Sequence, residues 1–150
     1  MKIVMSSGHG LYVRGAKGYL DEVDEARRVV AATAQLLIEG AGVGTVTFND
    51  DVSKTQNENL NRIVDFHNSQ QRDLDVSVHF NAYETTDKPM GCEVLYVTQA
   101  ELAKKVSAFI AEGGGFPNRG AKKRTDLFLD RKSTRLNSSH SGESRMPSSA

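Results

Sequence analysis

Short apolar runs and helical repeats alternate along this chain with glycines between them, and this alternation is the strongest constraint on its fold. Lys2 to Ser6 is an apolar run that stops at a glycine-bounded loop, after which Val23, Ala26, Val30, Thr33 and Leu37 recur at helical spacing. Gly40 and Gly42 end that helix, Val43 to Phe48 is rich in β-branched residues, and Asn49 to Ser53 turns the chain. Thr55 is the expected N-cap of a second helix carrying Leu60, Ile63, Val64 and Phe66 inward, and Asp75 to Asn81 reads as a third strand. Gly91 to Val97 reads as a fourth. Leu102, Val106, Phe109 and Ile110 mark a third helix that stops at Gly113, Gly114 and Gly115, and Asp126 to Leu129 begins a fifth strand. The pattern predicts an α/β fold, a sheet with helices on its faces and functional residues at the carboxyl ends of its strands. His9 and His79 both fall at such ends.

A chain of 150 residues with 38% hydrophobic content buries one core, so one domain is expected. Its expected extent is residues 1–130. Residues 131–150 break the pattern, with seven serines in twenty positions and no periodicity, and read as a disordered tail foreign to the rest. That tail holds Arg131, Lys132, Arg135 and Arg145 against Glu143 alone, which leaves 15 basic and 18 acidic residues in the body. A mildly acidic body without a basic stripe lacks the electrostatic footprint of a nucleic-acid binder.

The first ten residues offer neither a signal-peptide core nor a membrane span, so the chain is expected to be made in the cytoplasm; a monomer is the expected state. Cys92 is the only cysteine, so no internal disulfide forms and any metal must be held by histidine and carboxylate. Cys92 itself reads as a small buried hydrophobe on a strand.

Neutral imidazole and carboxylate suit Zn²⁺, and a catalytic zinc typically takes three protein ligands and keeps one position for water. His9, His79 and a carboxylate from the acidic first turn of helix 1 meet that need. Composition alone leaves Asp21, Glu22, Asp24 and Glu25 as alternatives, since any acid there complements the helix dipole. His67 sits where a histidine suits the negative end of helix 2. Gly8, Gly10 and Gly15 do not match a dinucleotide or phosphate-binding loop, and Gly113 to Gly115 follow a helix and not a strand.

Three segments together resemble the ligand motifs of amidase family 3, the zinc-dependent N-acetylmuramoyl-L-alanine amidases of phage endolysins and cell-wall enzymes. They are Ser7-Gly8-His9-Gly10, Leu20-Asp21-Glu22-Val23-Asp24-Glu25-Ala26 and Val76-Ser77-Val78-His79-Phe80-Asn81-Ala82. The resemblance runs from about Met1 to Leu129 and includes Asn118-Arg119-Gly120-Ala121-Lys122. It implies a three-layer sheet flanked by helices, and one Zn²⁺ held by His9, Glu22 and His79. The substrate it implies is peptidoglycan, cut at the amide between N-acetylmuramic acid and L-alanine, with the enzyme reaching the wall after release from the cell. Asn81, Glu93 and Arg119 are the candidate groups for orienting ligands or substrate.

The family places its general-base glutamate on a late strand beyond the segment matching Asp126 to Leu129. The resemblance therefore implies that this glutamate, with the last strand and helix, is absent here, since Glu143 in Ser-Gly-Glu-Ser has no apolar flank to fix it. Two functions follow as expectations: a zinc amidase, or a zinc-bearing fragment that binds muropeptide without cleaving it. A zinc carboxypeptidase is disfavoured by the three motifs taken together.

Overall fold

The computed structural model describes residues 1–80 and 90–126. The elements alternate as the sequence predicts: β1 (Lys2–Gly10), α1 (Glu22–Gln35), β2 (Gly44–Asp50), α2 (Gln56–Asn68), β3 (Leu74–Val78), β4 (Cys92–Tyr96), α3 (Ala100–Gly114) and β5 (Asn118–Lys123). A π-helical turn, Leu36–Gly40, extends α1. The first three strands form a parallel sheet ordered β2-β1-β3, and β4 pairs in parallel with β5. Among the described residues no helix is long and apolar enough to cross a membrane.

Strand order decides where the helices go. The chain steps from β1 to β2 in one direction and returns past β1 to reach β3. Right-handed crossovers therefore set α1 and α2 on opposite faces. Side-chain alternation along β1 agrees: Ile3 and Met5 pack with Val30 of α1, joined by Leu37, Val43, Leu74, Val76 and Val78, while Ser6 points the other way to His67 of α2. β1 is thus covered on both sides, as in a three-layer α/β fold. The reversal of strand order at β1 opens a crevice at the carboxyl ends of β1 and β3, the place where such sheets hold ligands.

Local chemistry explains the element ends. Asp21 caps α1 by accepting the N–H of Val23 at 3.0 Å and of Asp24 at 3.4 Å. Thr55 caps α2 by accepting the Glu58 N–H, and the Glu58 carboxylate turns back to the Lys54 N–H. Gly115 ends α3 in the left-handed conformation at φ 66°. After β2 the turn is locked by the buried Asp50 carboxylate, which accepts from the Val52 and Ser53 N–H groups, Asn59 and Arg62. Burial alone would raise the Asp50 pKa; hydrogen bonding from Ser53, Asn59 and the Val52 N–H outweighs it and holds it at about 2.

The structure adds to the sequence reading at three places. His67 lies in the last turn of α2 as expected, but it is fully buried, with Nδ1 2.8 Å from Asp75 Oδ1 and Nε2 3.0 Å from Ser6 Oγ. Its partners lie on other elements, which no local signal reveals. The residues that mark α3 in the sequence are not the ones it buries. Ala103, Ser107 and Ala111 are buried, because small side chains let the helix lie close to β4 and β5, while Val106 is 38% and Phe109 71% exposed. Finally, β5 is the polar segment Asn118–Lys123; the strand expected at Asp126 to Leu129 lies, from residue 127 on, outside the described residues.

The His67 network makes a stability prediction. Burial pushes the Asp75 carboxyl up, but hydrogen bonds from His67 and Arg72 prevail and hold it below the usual range. A depressed carboxylate contributes stability above its unfolded pKa of about 3.9 and loses it as pH falls through the lower folded value. Asp75→Asn leaves Arg72 and His67 without their anion and is expected to destabilise the fold by about 3 kcal/mol at neutral pH. Urea unfolding at a series of pH values checks this, the variant giving a flatter acid limb.

Candidate metal centre

His9, Glu22 and His79 come from the carboxyl end of β1, the first residue of α1 and the residue after β3. The structure brings them together at the crevice, with one ligand-type atom from each lying within 4.8 Å of the others. His9 Nε2 is 3.3 Å from Glu22 Oε2, and His79 Nδ1 is 3.1 Å from Glu22 Oε1. The two imidazoles meet edge to face, their centroids 5.3 Å apart. His9 adopts φ 63°, a left-handed conformation uncommon outside glycine and typical of strained functional positions.

Glu22 is 3% exposed, so its charge needs partners. It accepts the Ala16 N–H at 2.7 Å on Oε2 and the Phe80 N–H at 3.1 Å on Oε1. Its position at the start of α1 also favours an anion. The acids that composition left open are engaged elsewhere: Asp21 caps the helix and meets Arg14, Asp24 meets Arg14, and Glu25 pairs with Arg28. Burial lowers the His79 pKa; the Glu22 carboxylate opposes that shift and His9 adds to it.

The donor set suits zinc. The two carboxylate–imidazole contacts run to different Glu22 oxygens; with one atom from each residue the three lie within 4.8 Å of one another, somewhat wider than the edges of about 3.4 Å of a tetrahedral site with bonds of about 2.1 Å. His79, 46% exposed, and His9, 28% exposed, leave one side open to solvent, where a water and a substrate group have room. Glycine makes the approach possible at two points. A Cβ on Gly8 would lie 2.2 Å from the His79 ring, and one on Gly15 would lie 2.1 Å from Glu22 Oε2.

The other candidates stand apart. Glu93 on β4 pairs with Lys122 and, at 3.8 Å, with Arg119 of β5, and neither Glu93 nor Arg119 joins the cluster of three. The Lys122 ammonium holds the Glu93 carboxyl below its ordinary pKa. Asn81 lies outside the described residues. Sequence reasoning missed the backbone donors of Ala16 and Phe80 and the contacts of Gly8 and Gly15; only the glycines themselves carried any trace in the sequence.

The sequence profile of the N-acetylmuramoyl-L-alanine amidases matches residues 3–146. The chain belongs to the N-acetylmuramoyl-L-alanine amidase family. An uncharacterized 38.4 kDa protein of Clostridium perfringens is 35% identical over 135 residues, covering 85% of this chain and 38% of that protein. A second C. perfringens protein is 32% identical over 141 residues, covering 89% and 41%. The chain thus spans well under half the length of these relatives. Among solved structures, the catalytic domain of the CD27L endolysin targeting Clostridia difficile is 27% identical with a TM-score of 0.70, over 86% of this chain and 73% of that one. An N-acetylmuramoyl-L-alanine amidase from Clostridium difficile 630 shares the fold at 22% identity, with a TM-score of 0.71 over 97% and 75%.

For this member of the amidase family, Gly8→Ala tests the geometry. The added methyl occupies the space of the His79 ring, so zinc affinity measured by titration calorimetry is expected to fall at least about tenfold while circular dichroism stays native.

Proposed function

We propose that this chain is the catalytic portion of a zinc-dependent peptidoglycan hydrolase that cuts the amide between the lactyl group of N-acetylmuramic acid and L-alanine. The observation that carries the reading is the convergence of His9, Glu22 and His79 at the sheet's crevice in a chain of the amidase family. The likeness to an endolysin catalytic domain supports the bacterial wall as its place of action.

His9 and His79 would each offer a neutral ring nitrogen and Glu22 a carboxylate oxygen. Bound Zn²⁺ supplies a water of pKa near about 7 and polarises the scissile carbonyl. The residues of this chain fix the arrangement before substrate arrives. The Ala16 and Phe80 N–H groups each take one Glu22 oxygen, which orients the carboxylate, and the left-handed turn at His9 directs its ring to the same point. The solvent-facing side of the two imidazoles admits the muropeptide.

A second reading rests on one feature of the cluster. Its single carboxylate, Glu22, is a ligand, so the cluster of three holds no further acid to take the water's proton and return it to the leaving amine. Without such a group hydrolysis slows by about 10²- to 10⁴-fold, and the chain binds muropeptide more than it cuts it.

Metal analysis and wall digestion of the full chain separate the two. About one zinc per chain, lost in His79→Ala, with new amino-terminal L-alanine in the digest, is the expected outcome. Zinc without new L-alanine supports the binding-only reading. A new free carboxyl-terminal residue means a carboxypeptidase, and absence of zinc refutes the metal site.

A further inference from the structure

The segment between His9 and Glu22 passes over both ligands, and one of its residues fastens it there. β1 ends at Gly10 and α1 starts at Glu22, so residues 11–21 must return across the crevice. The innermost point of this strap is Gly15-Ala16. A Cβ on Gly15 would be 2.1 Å from Glu22 Oε2 and 2.4 Å from His9 Cδ2, so its backbone lies against both ligands. Ala16 grips Glu22 twice, its N–H bonding the carboxylate at 2.7 Å and its carbonyl accepting the Glu22 N–H at 3.0 Å.

Hydrophobic packing holds little of this strap. Its large apolar side chains face solvent: Leu11, Tyr12, Tyr19 and Leu20 are all exposed, Tyr19 at 77%. The Leu11 N–H bonds the Asp50 carbonyl at 2.8 Å and the Lys54 ammonium lies 3.3 Å from the Tyr12 ring centroid, but nearest the ligands the anchor is Arg14. Arg14, next to Gly15, places Nη2 2.8 Å from Asp21 Oδ1 and 2.8 Å from Asp24 Oδ1, and Nη1 3.4 Å from the Leu11 carbonyl. Asp21 is also the α1 cap and the residue before Glu22. One planar guanidinium therefore ties the strap's entry, its turn and the start of the ligand-bearing helix.

We propose that Arg14 is a positioning residue of the metal centre: by fixing residues 11–21 against the start of α1 it holds the Ala16 N–H on Glu22 and so sets the affinity of the site for zinc. The proposal rests on the zinc reading above. Arg14 is a third exposed on its side chain, and ion pairs of that exposure add little to global stability. Its effect is local, on the part of the strap that holds Ala16 against Glu22. Metal affinity and fold stability should therefore separate.

The test titrates the metal-free full chain with zinc and, separately, with cobalt(II), whose visible absorption reports ligand geometry, in the parent, Arg14→Gln and Arg14→Lys. In Arg14→Gln the zinc dissociation constant is expected to rise about tenfold or more and the cobalt spectrum to change, with the melting temperature of the metal-free protein unchanged. Arg14→Lys keeps the charge without the fork and recovers part of the affinity. Equal zinc affinity in parent and Arg14→Gln overturns the proposal and leaves the zinc reading intact. So does weaker binding matched by a fall in the metal-free melting temperature, which assigns Arg14 to the fold alone. A parent that takes up neither metal overturns both.

Discussion

A buried carboxylate at the start of α1 is the constraint around which this structure is arranged. Glu22 is almost wholly removed from water, and an ionised carboxylate in that position is strongly unfavourable unless its lone pairs and charge are met. Two backbone N–H groups, the positive end of α1 and two imidazoles meet them. Those partners come from the strap, from the end of β3 and from the end of β1. Satisfying one charge thus fixes the relative positions of four segments, and the divalent cation proposed for the same point would complete the compensation.

The opposite face of β1 carries a second polar device with a different task. A carboxylate only accepts, so His67 donates from Nδ1 to Asp75, while its Nε2 shares a hydrogen bond with the Ser6 hydroxyl. Serine, histidine and aspartate in that order suggest nucleophilic chemistry, yet Ser6 and His67 are fully buried and no substrate reaches them. The network instead ties β1 to α2 and β3 beneath the crevice. Adjacent residues of one strand therefore divide the work: Ser6 secures the scaffold, while Ser7, hydrogen-bonded to Asn49 at 2.8 Å, begins the turn toward the site.

What was legible in the sequence is what short-range periodicity and capping encode. The β-branched runs, the α1 stripe Val23, Ala26 and Val30 and the Thr55 cap all belong to segments whose local preference agrees with the fold. Buried polar partnerships were not legible. Asn59 and His67 share the buried face of α2 with Ile63 and Val64, because their partners arrive from other elements. The α3 stripe misled for a related reason: apolar periodicity shows that a helix has an apolar face, and the small residues Ala103, Ser107 and Ala111 won the contact with β4 and β5. For the site, spacing could nominate two histidines and an acidic turn, but Glu22 was separable from Asp21, Asp24 and Glu25 only by the direction each side chain takes.

The two histidines reach Glu22 because regular structure stops where they begin. Val78 is the last residue of β3 in the ladder, paired with Ser7, and it faces α1 with Met5 and Val30. Strict alternation would send His79 toward α2, away from Glu22. The strand ends instead, and the chain turns so that the Phe80 N–H points at Glu22 Oε1 and the His79 ring follows. On β1 the register with β2 slips between Ser6 and Gly10, and the left-handed residue in that slip is His9. Both departures from the ladder leave a backbone N–H or a ring nitrogen facing one carboxylate. The carboxylate that most needs partners is the group that stabilises the irregular turns supplying them, which makes the proposed metal site and its local strain two aspects of one arrangement.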